Sequence, residues 1–510
     1  MVGLCISRAV APYEVKFEDD WINVPDGPWA SYKIRLGSDD KGNGGQRLPM
    51  FPGFSVPGIV APVKAPFCSG NQSLRSECLT QQTLEPSSSQ YWTAEGSMDT
   101  LSVFQLERVA EQGQNYTLYG TDSVGLPVAN VVKERIEPSN MVVTSASMSF
   151  FTGILGLSNA NLVYKDEIFR PIPLVTKLQA HPRISFSYTA GSYGRGKFPP
   201  SLVFGGYDAY RIDPSTTLEV DIWQTWSPSE SRWWQLEVTV ALFQIEMTGI
   251  AEERPMISEW AGLSVVLDPI TPYLWLPVWI CEHFEAAFGI EWNETQQLYF
   301  LNASAHERLR RFNPRVYFGL SSSKDDGRTK IFELPYSAFD LNVTYPLVET
   351  KTFFFPLKRV VSTNHYVLGR TFFQEAHISV DYDLGYFNLS RANFSTDSHI
   401  VPIREEFMGD NSSRITGIGI GSLLGLLAFF VIVVGLYWNL KLKPSLNRPP
   451  KQQIEHKAQL HGRAIPWVEL LPKERTELET KEGIVEMTGS PLEGVVLHEM
   501  DAGSLPACKS

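Results

Sequence analysis

Residues 265–277 have the sequence VVLDPITPYLWLP, in which two hydrophobic runs flank a short turn. Asp268 ends the first run, and Thr271 lies within the turn. Glycine lets a backbone turn sharply, but neither residue that follows Asp268 is a glycine. Pro269 removes a backbone N–H, and Ile270 brings a β-branched side chain into the turn. The segment therefore combines a candidate catalytic acid with a conformationally restricted turn.

The rest of the chain predicts a large β-rich protein. Its 510 residues can bury a sizeable core, and its net charge of -12 argues against a nucleic-acid partner. Alternating short strands are predicted at residues 184–188, 236–245 and 377–382, and a helix at Val278–Phe288. No spacing of cysteine and histidine predicts a metal site, and no cofactor is expected.

One segment is long and apolar enough to span a bilayer. Residues 415–438 contain no charged side chain, and a membrane helix needs roughly 20 apolar residues. Basic residues are frequent just after this segment, so we expect the C-terminal tail in the cytosol and the preceding domain outside it. Within the segment, Gly417, Gly421 and Gly425 recur at a spacing that permits helix dimerisation, although ordinary packing explains them as well.

Glycosylation sequons and two cysteines agree with an extracellular or luminal location of the large domain. A short disulfide between Cys68 and Cys78 would suit an oxidising compartment. A domain that crosses a membrane ahead of its own anchor needs a signal sequence, and residues 1–15 lack one, so we expect one upstream. Eight asparagines begin an Asn-x-Ser/Thr sequon: Asn71, Asn115, Asn293, Asn302, Asn342, Asn388, Asn393 and Asn411.

Five blocks of the sequence resemble, in the same order, blocks of the pepsin-like aspartic endopeptidases, and look closest to their fungal membrane-anchored branch. The blocks are DGPWASYKIRLG (26–37), YGTDSV (119–124), FTGILGL (151–157), SLVFGGYD (201–208) and YVLGRTF (366–372). The resemblance implies a bilobal, mainly β fold with a cleft, and each lobe contributes one catalytic aspartate to that cleft.

The sequence predicts six parts, and the start of the first lobe at residue 26 is where the first resembling block begins. These are an N-terminal segment (1–25), an N-terminal β lobe (26–183), a C-terminal β lobe (184–403), a stalk (404–414), the membrane helix (415–438) and a disordered cytosolic tail (439–510).

The resemblance also implies a degenerate catalytic pair. Aspartic proteolysis needs two carboxylates that share a proton, one acting as acid and the other as base. In the second lobe Asp268 is present, with Thr271 as the retained end of its loop. In the first lobe the corresponding place falls on or beside residues 51–53, and no acid occurs from Gln46 to Cys68. Tyr119 is a weak candidate for the tyrosine of the family's flap.

Three functions are consistent with these features. The first is a membrane-anchored pepsin-fold protein without protease activity, whose cleft is kept for a peptide or a cell-wall glycan. The second is an active endopeptidase at acidic pH that uses Asp268. The third is a surface receptor or sensor that signals through its cytosolic tail.

Overall fold

In a computed structural model of the chain, the described residues are 11–63, 82–99, 116–145, 152–160, 172–178, 183–226, 232–247, 258–322, 328–360 and 366–403. Within these ranges, no helix has both the length and the apolar character needed to cross a bilayer. The predicted stalk, membrane helix and tail lie outside them, as do Cys68 and Cys78.

Strands dominate the described residues, as the alternating patterns predicted. The strands of the first half are β1 (Tyr13–Glu14), β2 (Trp21–Val24), β3 (Gly27–Ala30), β4 (Tyr32–Ser38), β5 (Gly44–Gly53), β6 (Ile59–Pro62), β7 (Thr93–Asp99), β8 (Tyr116–Leu126), β9 (Arg135–Ser145), β10 (Gly153–Gly156) and β11 (Ser185–Thr189).

The second half adds nineteen described strands. They are β12 (Ser201–Phe204), β13 (Gly206–Asp208), β14 (Ile212–Asp221), β15 (Trp223–Trp226), β16 (Arg232–Gln235), β17 (Glu237–Glu246), β18 (Ser258–Leu267), β19 (Leu274–Pro277), β20 (Glu291–Asn293), β21 (Leu298–Phe300), β22 (Arg315–Ser321), β23 (Thr329–Pro335), β24 (Leu341–Val343), β25 (Thr352–Phe355), β26 (Leu357–Val360), β27 (Val367–Leu368), β28 (Ala376–Asp381), β29 (Tyr386–Ala392) and β30 (Ile400–Pro402).

The described helices are short and few. They are α1 (Leu174–Lys177), α2 (Val278–Phe288), α3 (Ala303–Phe312) and α4 (Arg370–Phe373). The predicted helix at Val278–Phe288 is confirmed as α2. It ends where Gly289 adopts a left-handed conformation (φ 69°) and donates its N–H to the carbonyl of Glu285, a common helix terminus because glycine tolerates positive φ.

Two seven-stranded sheets form the bodies of two lobes. The first has the order β4-β5-β10-β6-β9-β8-β7, and the second has the order β23-β22-β17-β18-β27-β19-β26. A six-stranded sheet, β1-β12-β11-β28-β29-β14, takes strands from both ends of this part of the chain. One continuous core of buried apolar side chains runs through all three sheets. The mainly β architecture predicted from the sequence is therefore confirmed.

Candidate functional site

Each lobe contains the same three-strand arrangement around its candidate catalytic loop. In the first lobe, β10 lies between β5, to which it is parallel, and β6, to which it is antiparallel. In the second lobe, β27 lies between β18 (parallel) and β19 (antiparallel) in the same way. The two arrangements can therefore be compared residue by residue.

The strand register identifies the partner position of Asp268 as Gly53. In the first lobe, Leu155 pairs with Pro52, and the next pair is Gly156 with Gly53. In the second lobe, Leu368 of β27 pairs with Leu267 of β18. The next residue after Leu267 is Asp268, whose N–H donates to the carbonyl of Leu368 (3.3 Å). Asp268 therefore has the register position in the second lobe that Gly53 has in the first.

The glycine that follows each central strand supports the same equivalence. A Cβ atom on either glycine would lie within 2.5 Å of two carbonyl oxygens, so neither position has room for a side chain. For Gly156 the two carbonyls are those of Val56 and Gly58, three and five residues after Gly53. For Gly369 they are those of Thr271 and Tyr273, three and five residues after Asp268. The sequence placed the position that corresponds to Asp268 on or beside residues 51–53, and Gly53 occupies in the first lobe the register position that Asp268 occupies in the second.

The Asp268 carboxylate bonds to backbone amides of both lobes. Its Oδ1 accepts hydrogen bonds from the N–H of Phe54 (3.0 Å) and of Ile270 (3.0 Å), and its Oδ2 accepts one from the N–H of Ser55 (3.1 Å). The residue is 2% exposed. The carboxylate therefore links the loop after β5 to the loop after β18.

Burial is the largest influence on the pKa of the Asp268 carboxyl. Removal from water raises the pKa of the Asp268 carboxyl above its ordinary value, while its hydrogen bonds from the Ser55 and Phe54 region oppose the shift. In a working dyad a second carboxylate would share the proton, but position 53 has no side chain to offer one.

Apolar side chains occupy the space beside Gly53. A Cβ atom at this position would lie 2.8 Å from Cγ2 of Ile154 and 3.6 Å from two side-chain carbons of Ile270. Ile154 and Ile270 are both buried. The unusual Ile270 of the second loop therefore packs next to the missing acid of the first, and the two changes are spatially linked.

A buried arginine holds the altered loop from the other side. Arg370, at the start of α4, donates from Nη1 to the carbonyls of Pro269 (3.1 Å) and Ile270 (2.9 Å). Its guanidinium lies 4.0 Å from the ring centre of Phe51, and its Nη2 lies 4.0 Å from Oδ1 of Asp26. Burial lowers the pKa of Arg370 and raises that of Asp26.

Arg370 was not among the site residues predicted from the sequence. It lies within the block YVLGRTF (366–372), and its charge in an otherwise uncharged block was the signal that could have identified it. Thr271, the other predicted loop residue, is 3% exposed. Its Oγ1 accepts from the N–H of Tyr273 (3.3 Å) and from Nε1 of Trp275 (3.4 Å), so it supports the loop locally.

Tyr119 packs inside the first sheet. It lies in β8, pairs with Gly96 on one side and Val143 on the other, and is 1% exposed. A flap tyrosine must reach over a substrate, so this position does not favour that role.

The predicted sequons that fall within the described residues lie at the surface or partly so. Asn302 and Asn393 are exposed, and Asn293, Asn342 and Asn388 are partly exposed. Asn71, Asn115 and Asn411 lie outside the described residues. No group of three or more metal-ligating side chains occurs in the described part of the chain.

Comparison with models of known protein families identifies the family of this chain. Residues 67–393 match the family model described as eukaryotic aspartyl protease. The chain belongs to the eukaryotic aspartyl protease family. A comparison with curated proteins gives no match. Asp268, Pro269 and Ile270 lie within the matched residues, and Gly53 lies before them.

Proposed function

We propose that this chain is a non-proteolytic member of the eukaryotic aspartyl protease family. The observation that carries the proposal is Gly53, which stands where the strand register of the first lobe requires the partner of Asp268. One carboxylate cannot share a proton with an absent partner, so the acid-base step of aspartic proteolysis has no second group.

The bonding of Asp268 supports the same proposal. Its two oxygens already accept three backbone hydrogen bonds, and little of the residue is open to solvent. A carboxylate that is buried and bonded in this way supports the loops rather than activating a water molecule.

The wider proposal places this domain outside the cytosol. Residues 415–438 would anchor it in a membrane, with the C-terminal tail in the cytosol. The cleft typical of the family would then serve to bind a peptide or a cell-wall glycan without cleaving it.

A peptidase assay tests the central claim. The full chain should cleave no member of a diverse peptide library between about pH 3 and 6, where carboxylate pairs of this kind work. The matched control is Asp268→Ala, which should give the same background. Cleavage that is blocked by a statine-type inhibitor and lost in Asp268→Ala would instead establish the alternative, an active enzyme that depends on Asp268.

Asn302 allows the predicted glycosylation to be tested separately from stability. Its Oδ1 caps α3 by accepting from the N–H of Ala305 (2.8 Å). After expression in a eukaryotic secretory host, Asn302→Asp should lose one glycan by mass yet keep the cap. Asn302→Ala should lose the same glycan and also about 1 kcal/mol of unfolding free energy. An unchanged glycan mass in Asn302→Asp would show that this sequon is unused.

A further inference from the structure

A polar cleft of about 490 Å³ lies on the second lobe, and none of its lining residues belongs to the Gly53 or Asp268 loops. Its walls come from the loop before β12, the end of α3 and the β22–β23 pair with the turn that follows. The charged residues that line it are Arg195, Arg310, Arg315 and Glu333.

Two of the three arginines are held in place by carboxylates. Arg195 makes a bidentate pair with Glu375 (2.8 and 2.9 Å) and stacks on the ring of Phe394 at 4.1 Å. Arg315 lies 3.1 Å from Glu333. Such pairs fix the guanidinium planes, and because a guanidinium has five N–H donors, a carboxylate partner does not use all of them.

Arg310 supplies the unbalanced charge. It is exposed on the last turn of α3, and within the described residues no carboxylate pairs with it. Glu375 balances Arg195 and Glu333 balances Arg315, so Arg310 leaves the cleft with an excess of positive charge, in a chain whose net charge is -12. A local positive potential in an acidic protein favours an anionic ligand.

The walls of the cleft are rigid. The backbone at Gly194 packs so closely on Ser337 that a Cβ atom would lie 2.4 Å from its carbonyl oxygen. The Oδ1 of Asn313 accepts from the N–H of Ser337 (3.1 Å), and the N–H of Tyr336 donates to the carbonyl of Pro314 (2.8 Å). The backbone of the cleft and the paired Arg195 and Arg315 are thus held in place before binding, which lowers the entropy that binding costs.

We propose that this cleft binds a phosphate-type oxyanion, either free or as an ester on a small molecule such as a sugar. Planar guanidinium groups form paired, charge-assisted hydrogen bonds with such oxygens. The cleft volume is within the range of small-molecule sites. The inference does not depend on whether the family's catalytic pair is active.

Titration of the full chain with inorganic phosphate tests the site. Calorimetry at constant ionic strength should show saturable binding, and Arg310→Ala should weaken it by about tenfold, as expected for loss of one charge-assisted hydrogen bond. The matched control is Arg311→Ala, which removes the same charge from the neighbouring residue of α3 but does not line the cleft. That control should bind phosphate within about twofold of the wild type.

The ligand's source is decided by a second titration with a hexose phosphate. Tighter binding than that of free phosphate, with the same sensitivity to Arg310→Ala, would identify an ester ligand, whereas equal or weaker binding would identify the free ion. The proposal is overturned if phosphate binding is not saturable, or if Arg310→Ala and Arg311→Ala weaken it equally. The second result would mean that general surface charge, not this cleft, attracts the anion.

Discussion

Replacing Asp268 by alanine should cost about 3–5 kcal/mol of unfolding free energy while leaving peptide hydrolysis unchanged. The carboxylate accepts hydrogen bonds from Phe54, Ser55 and Ile270. Removing it would leave three backbone N–H groups without a partner in a buried site, and each such group costs about 1–3 kcal/mol, partly relieved by water. Denaturant unfolding of the full chain, followed by tryptophan fluorescence, measures the loss.

Asp268→Asn is the matched control because it keeps the size of the side chain. Its oxygen can still accept from Phe54 and Ile270, but its amide would face the N–H of Ser55, so we expect an intermediate loss of about 1–3 kcal/mol. A loss below about 1 kcal/mol in Asp268→Ala would contradict the structural role assigned to this carboxylate.

The effect of Asp268 should also depend on pH. Its pKa is raised in the folded protein above an unfolded value of about 3.9. The folded state therefore binds more protons than the unfolded state as the pH rises through this interval, and the stability contributed by Asp268 falls. The cost of Asp268→Ala should accordingly be larger near pH 4 than near pH 7. A cost that grows with pH would contradict the direction of the shift.

Restoring an aspartate at position 53 should by itself fail to produce a peptidase. In Gly53→Asp the new side chain would meet Ile154 and Ile270 and would place a second acid near Asp268. We expect a stability loss of about 1–3 kcal/mol from the overfilled site and no hydrolysis above background.

Changing the second loop together with position 53 should produce peptidase activity. The triple variant Gly53→Asp, Pro269→Thr, Ile270→Gly removes one of the two isoleucines beside position 53, while Ile154 remains, and places small residues after Asp268. We expect acid hydrolysis of peptides at least about 100-fold above background, the usual range for a positioned acid-base group, and inhibition by a statine-type compound.

The control for this gain carries asparagine instead of aspartate at position 53, in the same loop background. It has the same volume but no second titrating acid, so it should remain inactive. If the triple variant folds and hydrolyses nothing, Gly53 is not the missing partner. If Gly53→Asp alone is active, Ile270 does not obstruct the site.

Local features of the chain could be predicted from the sequence. The alternation at residues 236–245 predicted β17, and the pattern of residues 278–288 predicted α2; both depend on local periodicity, which a single segment displays. The absence of any acid from Gln46 to Cys68 is likewise visible in the chain. The resemblance of the five sequence blocks implied a pepsin-like fold, and the family match agrees with that fold.

The sequence by itself determined that no acid occurs from Gln46 to Cys68. Only the tertiary structure decided that Gly53 occupies the register position equivalent to that of Asp268, that Ile270 packs beside Gly53, and that Asp268 bonds to amides more than 200 residues away in the chain. The physical reason is that these facts depend on the register between β5 and β10 and on contacts between lobes. Such pairings form between distant segments, and no local pattern records them.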